Sequence, residues 1–407
     1  VKPIVLVLQP GFPAEVPYYV RGLARRGAFV AGVGDQPEGS LPAVAREGLG
    51  AYLRVENLWH APSLVDAIRR WRLPGTLDRV ESLWEVTVEL SAQLREAFGL
   101  PGLRPAQAAW FRDKDVMRRV LAEAGVRQPR FARARGVGEL AAAARAVRFP
   151  LIVKPVAGAG SADTHRVDSP AALEALLPAL RNVPEFVVEE FVRGDEYTFD
   201  ALSHEGRILF HSILRYRPTM LESRTHEWVS PQNMVLRDLD TPLFRRAWAL
   251  GQQVLSALRY PGGITHMEWF HTPEDELVFG EIAARPPGGM TGELMNYACD
   301  FDVYEAWADT VLRGRIGQRI ERRYNVGMIF KRAAGQGRIA RIEGLDGLAR
   351  LGPAVMRTDL LPVGAPRRDW KQTLLSDGYV ILRHPDLATA TAMSSWVAEH
   401  VRLTARP

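Results

Sequence analysis

Lys154 closes an apolar run, Phe149-Pro150-Leu151-Ile152-Val153, and leads through Pro155 into a loop of small residues, Val156 to Ser161, that holds Gly158, Gly160 and the Ser161 hydroxyl. A cation at the end of a strand, beside a loop rich in accessible backbone amides, is chemistry for holding phosphate. Only five of the 52 basic residues are lysine: Lys2, Lys114, Lys154, Lys331 and Lys371. Arginine is a broad planar fork and lysine a slim point charge. A lysine at this spot in so arginine-rich a chain suggests a narrow phosphate site.

The second constellation is a pair of carboxylates. Glu268 and Glu281 flank a hairpin predicted to turn between Glu274 and Asp275. An even loop there sets Phe270 opposite Phe279 and Glu268 opposite Glu281, with both carboxylates on one face. Cross-strand neighbours have Cβ atoms about 4.5 to 5.5 Å apart and like charges so placed repel, so a cation is expected between them. Oxygen donors, no cysteine cluster and a nearby phosphate holder favour magnesium, which binds one or two carboxylates together with nucleotide phosphates. Arg285 has the strand parity of Glu281 and is placed to clamp a transferring phosphoryl group or the carboxylate that receives it. Upstream, the strand Val188-Glu189-Glu190-Phe191-Val192 offers an edge for a flat base, and Glu196 an acceptor for ribose hydroxyls. The segment from Arg215 to Asn233, with Arg224, His226, Trp228 and Asn233, is a candidate substrate loop, although an ordinary surface connection explains it equally well.

These residues need strands and helices to place them. A buried strand at Ile4 to Leu8, a helix near Val16 to Arg26 and a strand at Phe29 to Val33 form a β-α-β unit. The turn Gln9-Pro10-Gly11-Phe12-Pro13 lacks the G-x-G-x-x-G spacing of a dinucleotide site, which disfavours nicotinamide and flavin cofactors. Helical patterns follow at Ser63 to Trp71 and Trp84 to Phe98, and the breaker-rich stretch Gly99 to Pro105 marks a boundary. One helix is predicted from Ala106 to Ala124, carrying Lys114. Ser169-Pro170 and Thr241-Pro242 read as cap and first-turn pairs that open two more helices. The remainder after Gly314 is strand-rich.

A chain of 407 residues exceeds what one core holds, so several structural units are expected. Hydrophobic content of 47% with 24% charged residues is that of a soluble globular protein. The early apolar stretch is too short for a signal-peptide core or a membrane span. One cysteine, Cys299, can form neither an internal disulfide nor a cysteine-based zinc site, in keeping with a reducing, cytoplasmic setting. The net charge of +5 is spread along the chain rather than gathered in a stripe, which argues against nucleic acid as a partner.

Taken in order, Lys114, Lys154 with the Gly158-to-Ser161 loop, the Glu189-Glu190 strand with Glu196, and Glu268 with Glu281 and Arg285 resemble the signature of the ATP-grasp superfamily, over roughly residues 1 to 400. The pattern is most similar to the carboxylate-amine ligases, including L-amino-acid ligases, with a lid like that of the biotin-carboxylase branch. The resemblance implies an α/β (α+β) ATP-grasp fold. Its expected parts are a Rossmann-like N-terminal domain (1–105), a connecting helix (106–127), small and large ATP-grasp subdomains (128–195 and 196–315) and a strand-rich lid (316–407). It implies ATP with magnesium, or manganese in its place, small-molecule carboxylate and amine substrates such as amino acids, and a homodimer. Lys114 and Lys154 would hold the phosphates beneath the Gly158, Gly160 and Ser161 loop. Glu189, Glu190 and the Val192 backbone would meet adenine, and Glu196 ribose. Glu268 and Glu281 would ligate the metals, and Arg285 would steady an acyl phosphate. One position departs: many members carry a metal-ligating Asn two residues after the second glutamate, where this chain has Ala283. The implied reaction joins a carboxylate to an amine with release of ADP and phosphate. A purine-biosynthesis-like or biotin-carboxylase-like enzyme acting on bicarbonate or formate, and an ATP-binding protein without turnover, are the alternatives.

Overall fold

The computed structural model describes residues 2–155, 164–373 and 375–407. Gly158, Gly160 and Ser161 lie outside the described residues. The chain begins with a parallel sheet of four strands in the order Ala51–Arg54, Phe29–Gly34, Ile4–Leu8, Arg79–Glu81. All five residues of Ile4–Leu8 are buried, as a parallel strand covered on both faces requires. The nucleotide loop expected at Lys154 follows the strand Leu151–Pro155, which pairs antiparallel with Glu185–Glu190 in a second sheet of four strands.

The largest sheet has eight antiparallel strands. In spatial order they are Leu277–Ala283, Gly262–His271, Asp195–His204, Arg207–Arg217, Gln232–Val235, Asn325–Phe330, Gly378–His384 and Val355–Leu360. The sheet runs without a break across position 315, because Gln232–Val235 is hydrogen-bonded directly to Asn325–Phe330. Its two faces differ. Tyr197, Phe199, Ile213, Met234, Met267 and Trp269 pack beneath the helix Pro242–Ala257 in one core. The alternate residues form two zones: Ile264, Leu202, Phe210 and Met328 join a core with the helices Val16–Arg25 and Val303–Arg313, whereas His266, Glu268, Thr198, Asp200 and Glu196 make a polar patch. Period-two alternation therefore gives one face a dry end and a chemical end. Among the described residues, no helix is long and apolar enough to cross a membrane.

Two local expectations need correction. The single helix from Ala106 to Ala124 is two helices, Pro105–Arg112 and Lys114–Glu123. Asp113 between them is extended, and its carboxylate accepts the N–H groups of Asp115 and Val116 at 2.9 and 3.1 Å. It caps the second helix and puts Lys114 on that helix's first turn, at the edge of the sheet. The hairpin also differs. Phe279 pairs with Trp269 rather than Phe270, and the register shifts at Gly280. The loop between His271 and Leu277 is five residues long, so the odd loop and the one-residue bulge cancel and Glu268 still faces Glu281. At Gly280 a Cβ would stand 3.0 Å from the Glu268 carbonyl oxygen, which suits a bulge with no side chain.

Glu15, just before the helix Val16–Arg25, ties the start of the chain to residues near 290 and 304. Its carboxylate accepts the Met290 N–H at 3.1 Å and the Tyr304 hydroxyl at 3.2 Å. Burial outweighs these hydrogen bonds and pushes the carboxyl up to about 7. A carboxyl that binds its proton more tightly folded than unfolded contributes stability at low pH that is lost as pH rises towards 7. The melting temperature is expected to fall between pH 5 and 8, and Glu15→Gln, beside which the Tyr304 hydroxyl can turn to accept, should flatten that slope. Identical slopes for the two proteins would remove Glu15 as the source.

Candidate active site

The two acidic side chains meet on adjacent strands. Glu268 lies directly across from Glu281, and Glu268 is also paired with Thr198 on its other side. Each carboxylate has a protein cation. Lys114 Nζ donates to Glu281 Oε2 at 2.9 Å, and His266 Nε2 stands 3.5 Å from Glu268 Oε1. Burial opposes ionisation of Glu268, but the His266 hydrogen bond and charge, with Arg285 and Lys114 beyond, hold it below the usual carboxylate range. Burial also works against the Lys114 ammonium, which Glu281 nevertheless keeps above its ordinary value.

Lys154 arrives from the neighbouring sheet. Its Nζ donates to Glu189 Oε2 at 2.6 Å, and Arg118 holds the other oxygen of the same carboxylate. Burial lowers the Lys154 pKa and Glu189 only partly restores it, with the positive charges of Lys114 and Arg118 adding to the fall. Lys114 feels Glu189 as well as Glu281. The two lysines therefore occupy one electrostatic neighbourhood, to which Glu281 also belongs through its bond to Lys114.

Glu189 and Glu190 part company. Strand alternation sets Glu189 with Lys154 and Ile152 on one face, and Glu190 with Leu151, Val153 and Val188 on the other. The Glu190 carboxylate is committed to Arg127 at 3.0 Å and to the Arg130 N–H at 3.1 Å. Its side chain thus does not share the Lys154 surface, contrary to the expectation for a base-binding edge. Val192 follows the end of this strand and is half-buried. Glu196 is buried on the polar face, where its Oε2 accepts the Met220 N–H at 2.7 Å. Burial, and then the Glu268 charge, push its carboxyl up to about 8 against that hydrogen bond.

Arg285 is aimed by Glu85, whose Oε2 accepts from Nε at 3.0 Å, and by the Pro286 carbonyl at 2.8 Å. Glu85 also pairs with Arg112. The candidate substrate loop divides. Asn233 is buried and pairs with Tyr216 and Met328 on the polar face. Arg224, His226 and Trp228 instead line a segment docked on the C-terminal part. Arg224 donates to the Lys371 carbonyl at 3.1 Å, Arg332 donates to the His226 carbonyl at 2.9 Å, and the Trp228 ring is 82% exposed.

Sequence reading missed His266, Asp200, Arg118 and Glu85. His266 was within reach, since it sits two residues before Glu268 and so on the same face. Asp200, whose Oδ1 lies 2.6 Å from His266 Nδ1, required the register of two strands 66 residues apart. Glu85 required knowing that the N-terminal domain folds back over residue 285.

The donor set fits a hard divalent cation. Two carboxylates face one another on a polar, partly open surface, and among the described residues no three His, Cys, Asp or Glu side chains converge as an all-protein metal cage. Magnesium is held in this sparse way when phosphates supply the remaining oxygens.

A family model for the ATP-grasp domain matches residues 147–293. An L-arginine-specific L-amino acid ligase from Bacillus subtilis is 26% identical over 239 residues, covering 57% of this chain and 57% of the relative. A formate-dependent phosphoribosylglycinamide formyltransferase from Parasynechococcus marenigrum is 29% identical over 233 residues, covering 55% and 57%. The chain thus spans little more than half the length of these curated relatives. The solved structure of an L-amino acid ligase from Bacillus licheniformis superposes with a TM-score of 0.77 at 20% identity, over 100% of this chain and 99% of that one. With the opposed glutamates and the lysine pair already in place, residues 147–293 match the ATP-grasp domain and the whole chain shares the fold of the solved L-amino acid ligase.

Proposed function

We propose that the chain is an ADP-forming ligase that activates a small-molecule carboxylate with ATP and joins it to an amine. The observation that carries this reading is the Glu268–Glu281 pair facing across the hairpin, with the Lys114 ammonium 2.9 Å from Glu281. The resemblance to L-amino acid ligases supports amino acids as the substrate class.

Lys114 and Lys154 would bind the phosphates of ATP, releasing Glu281 and Glu189 from their present pairings. The adenine would lie against the Val192 backbone and the Glu189 face of its strand, and Glu196 would meet the ribose through the oxygen that Met220 does not occupy. Glu268 and Glu281 would hold magnesium, or manganese, which when bound neutralises charge developing on the β- and γ-phosphates. In the first step a substrate carboxylate oxygen bonds to the γ-phosphorus as the bond to the ADP oxygen breaks. Arg285, held in place by Glu85, would bind the oxygens of the acyl phosphate that results. An amine then attacks the acyl carbon and the carbon–oxygen bond to phosphate breaks, leaving an amide, inorganic phosphate and a released proton. Positioning and charge neutralisation account for such catalysis.

ADP release should be measured against a panel of amino acids, singly and in pairs, with bicarbonate and formate as separate arms. The expected result is ADP formation that needs a carboxylate and yields an amide in equal amount. ADP formation driven by formate or bicarbonate alone would favour the purine-biosynthesis-like reading, to which the formyltransferase similarity points. Nucleotide binding without ADP in any arm would leave a non-catalytic ATP binder.

A further inference from the structure

Behind the two proposed metal ligands lies a line of buried polar groups that nothing in the reaction above uses. His266 occupies the position next to Glu268 on the same face of its strand, and Asp200 is its direct cross-strand partner. The imidazole is bracketed by acids, with Nδ1 2.6 Å from Asp200 Oδ1 and Nε2 3.5 Å from Glu268 Oε1. Asp200 is in turn held by Thr198, whose hydroxyl donates to Oδ2 at 2.7 Å. Thr198 is the residue that pairs with Glu268, so the line closes on itself across two strands. Asp200 is 1% exposed and His266 9%. A carboxylate buried this deeply is costly unless it is paired.

On the other side of His266 the cross-strand partner is Ala283, the position where a metal-ligating asparagine was expected. Its methyl group leaves the imidazole unobstructed, and it cannot orient anything itself. Glu268 is a third exposed, and one of its oxygens faces the ring while the other is left for a ligand. The side chain has three rotatable bonds, and His266 is the ion-pair partner found within 4 Å of its carboxylate among the described residues, with Arg285 and Lys114 acting from farther away.

From this geometry we infer that His266, clamped by Asp200 and Thr198, is a positioning residue that aims Glu268 at the divalent cation and does not itself touch the metal. The inference rests on Glu268 being a metal ligand, as proposed above. Groups that hydrogen-bond to a ligating carboxylate typically govern metal affinity by about 10- to 100-fold. Here such a group would compensate, from behind, for the ligand that Ala283 cannot supply.

The test is Mn²⁺ binding to the protein saturated with a non-hydrolysable ATP analogue, followed by electron paramagnetic resonance, with metal-free binding of the analogue measured alongside. His266→Leu is expected to weaken Mn²⁺ by about 10- to 100-fold and Asp200→Asn by less, while metal-free affinity for the analogue changes less than about threefold. His266→Gln, which keeps one donor near Glu268, should recover part of the loss; it also serves as the test variant if His266→Leu does not fold. Unchanged Mn²⁺ affinity in the folded variants would overturn the inference, as would an equal loss of metal-free analogue binding, which marks a merely structural role. Nitrogen coupling to Mn²⁺ in the wild-type protein that vanishes in His266→Leu would also overturn it, because the imidazole would then be a direct ligand. None of these readouts needs turnover. Failure to find a ligase activity would therefore leave the inference standing, and a working ligase with unaltered Mn²⁺ affinity in His266→Leu would remove it alone.

Discussion

Glu281→Ala should abolish ADP formation, by about 1,000-fold or more, with little change in the melting temperature. Removing one group that stabilises charge at a reacting centre typically costs about 100- to 1,000-fold in rate, and Glu281 is one of the two carboxylates proposed, among the described residues, to hold the metal. Stability is expected to hold for three reasons. The side chain is 40% exposed, an exposed ion pair such as Lys114–Glu281 contributes at most about 1 kcal/mol, and the substitution relieves the repulsion between two acids set side by side. Glu276 is the control. It sits in the turn of the same hairpin, paired at 3.5 Å with Arg127, and Glu276→Ala should leave turnover unchanged. Turnover in Glu281→Ala within tenfold of wild type would end the assignment of this acid as a metal ligand.

The second large effect is expected at Lys154. Lys154→Ala should lower kcat/KM for ATP by at least about 100-fold, the size of effect that follows from removing one phosphate contact made in the transition state. The protein should remain folded, because Glu189 keeps Arg118 as a partner when the lysine is lost. Lys154→Arg is the sharper variant. If a slim point charge is what the site needs, the guanidinium will not restore activity although it keeps the positive charge. Full rescue by arginine would show that charge alone suffices and that the scarcity of lysine carries no geometric meaning. ADP formation and nucleotide affinity should both be followed, since a site that both binds ATP and forms ADP normally without the lysine would place this residue outside the phosphate contacts.

Much of the fold could be read from local pattern. Two of the parallel N-terminal strands, Ile4–Leu8 and Phe29–Gly34, are continuous apolar runs, and the helices opened by Ser169-Pro170 and Thr241-Pro242 begin where cap and first-turn residues say they should. The break at Asp113 was missed because an aspartate within a helical pattern fits either as an exposed interior residue or as a cap, and only the hydrogen bonds to Asp115 and Val116 decide. The hairpin is more instructive. The facing of Glu268 and Glu281 was anticipated from an even loop, yet it arises from an odd loop and a bulge at Gly280. The pairing of the acids stands while that of Phe270 with Phe279 does not, so agreement at one pair does not establish the route to it.

Residue type and spacing along the chain were enough to nominate Lys154, Glu268, Glu281 and Arg285, because phosphate and hard cations demand particular charges close together on neighbouring strands, whereas the role of Lys114 came only from the family resemblance. What each of those groups faces was settled only by the tertiary structure. The Asp200–His266–Glu268 line, the Arg118 hold on Glu189, the commitment of Glu190 to Arg127 and the reach of Glu85 to Arg285 join residues 60 to 200 positions apart. Such pairings depend on strand register and on how separate layers pack, and a one-residue shift in register would send the strand residues among them, Asp200, His266, Glu268, Glu189 and Glu190, to the opposite face.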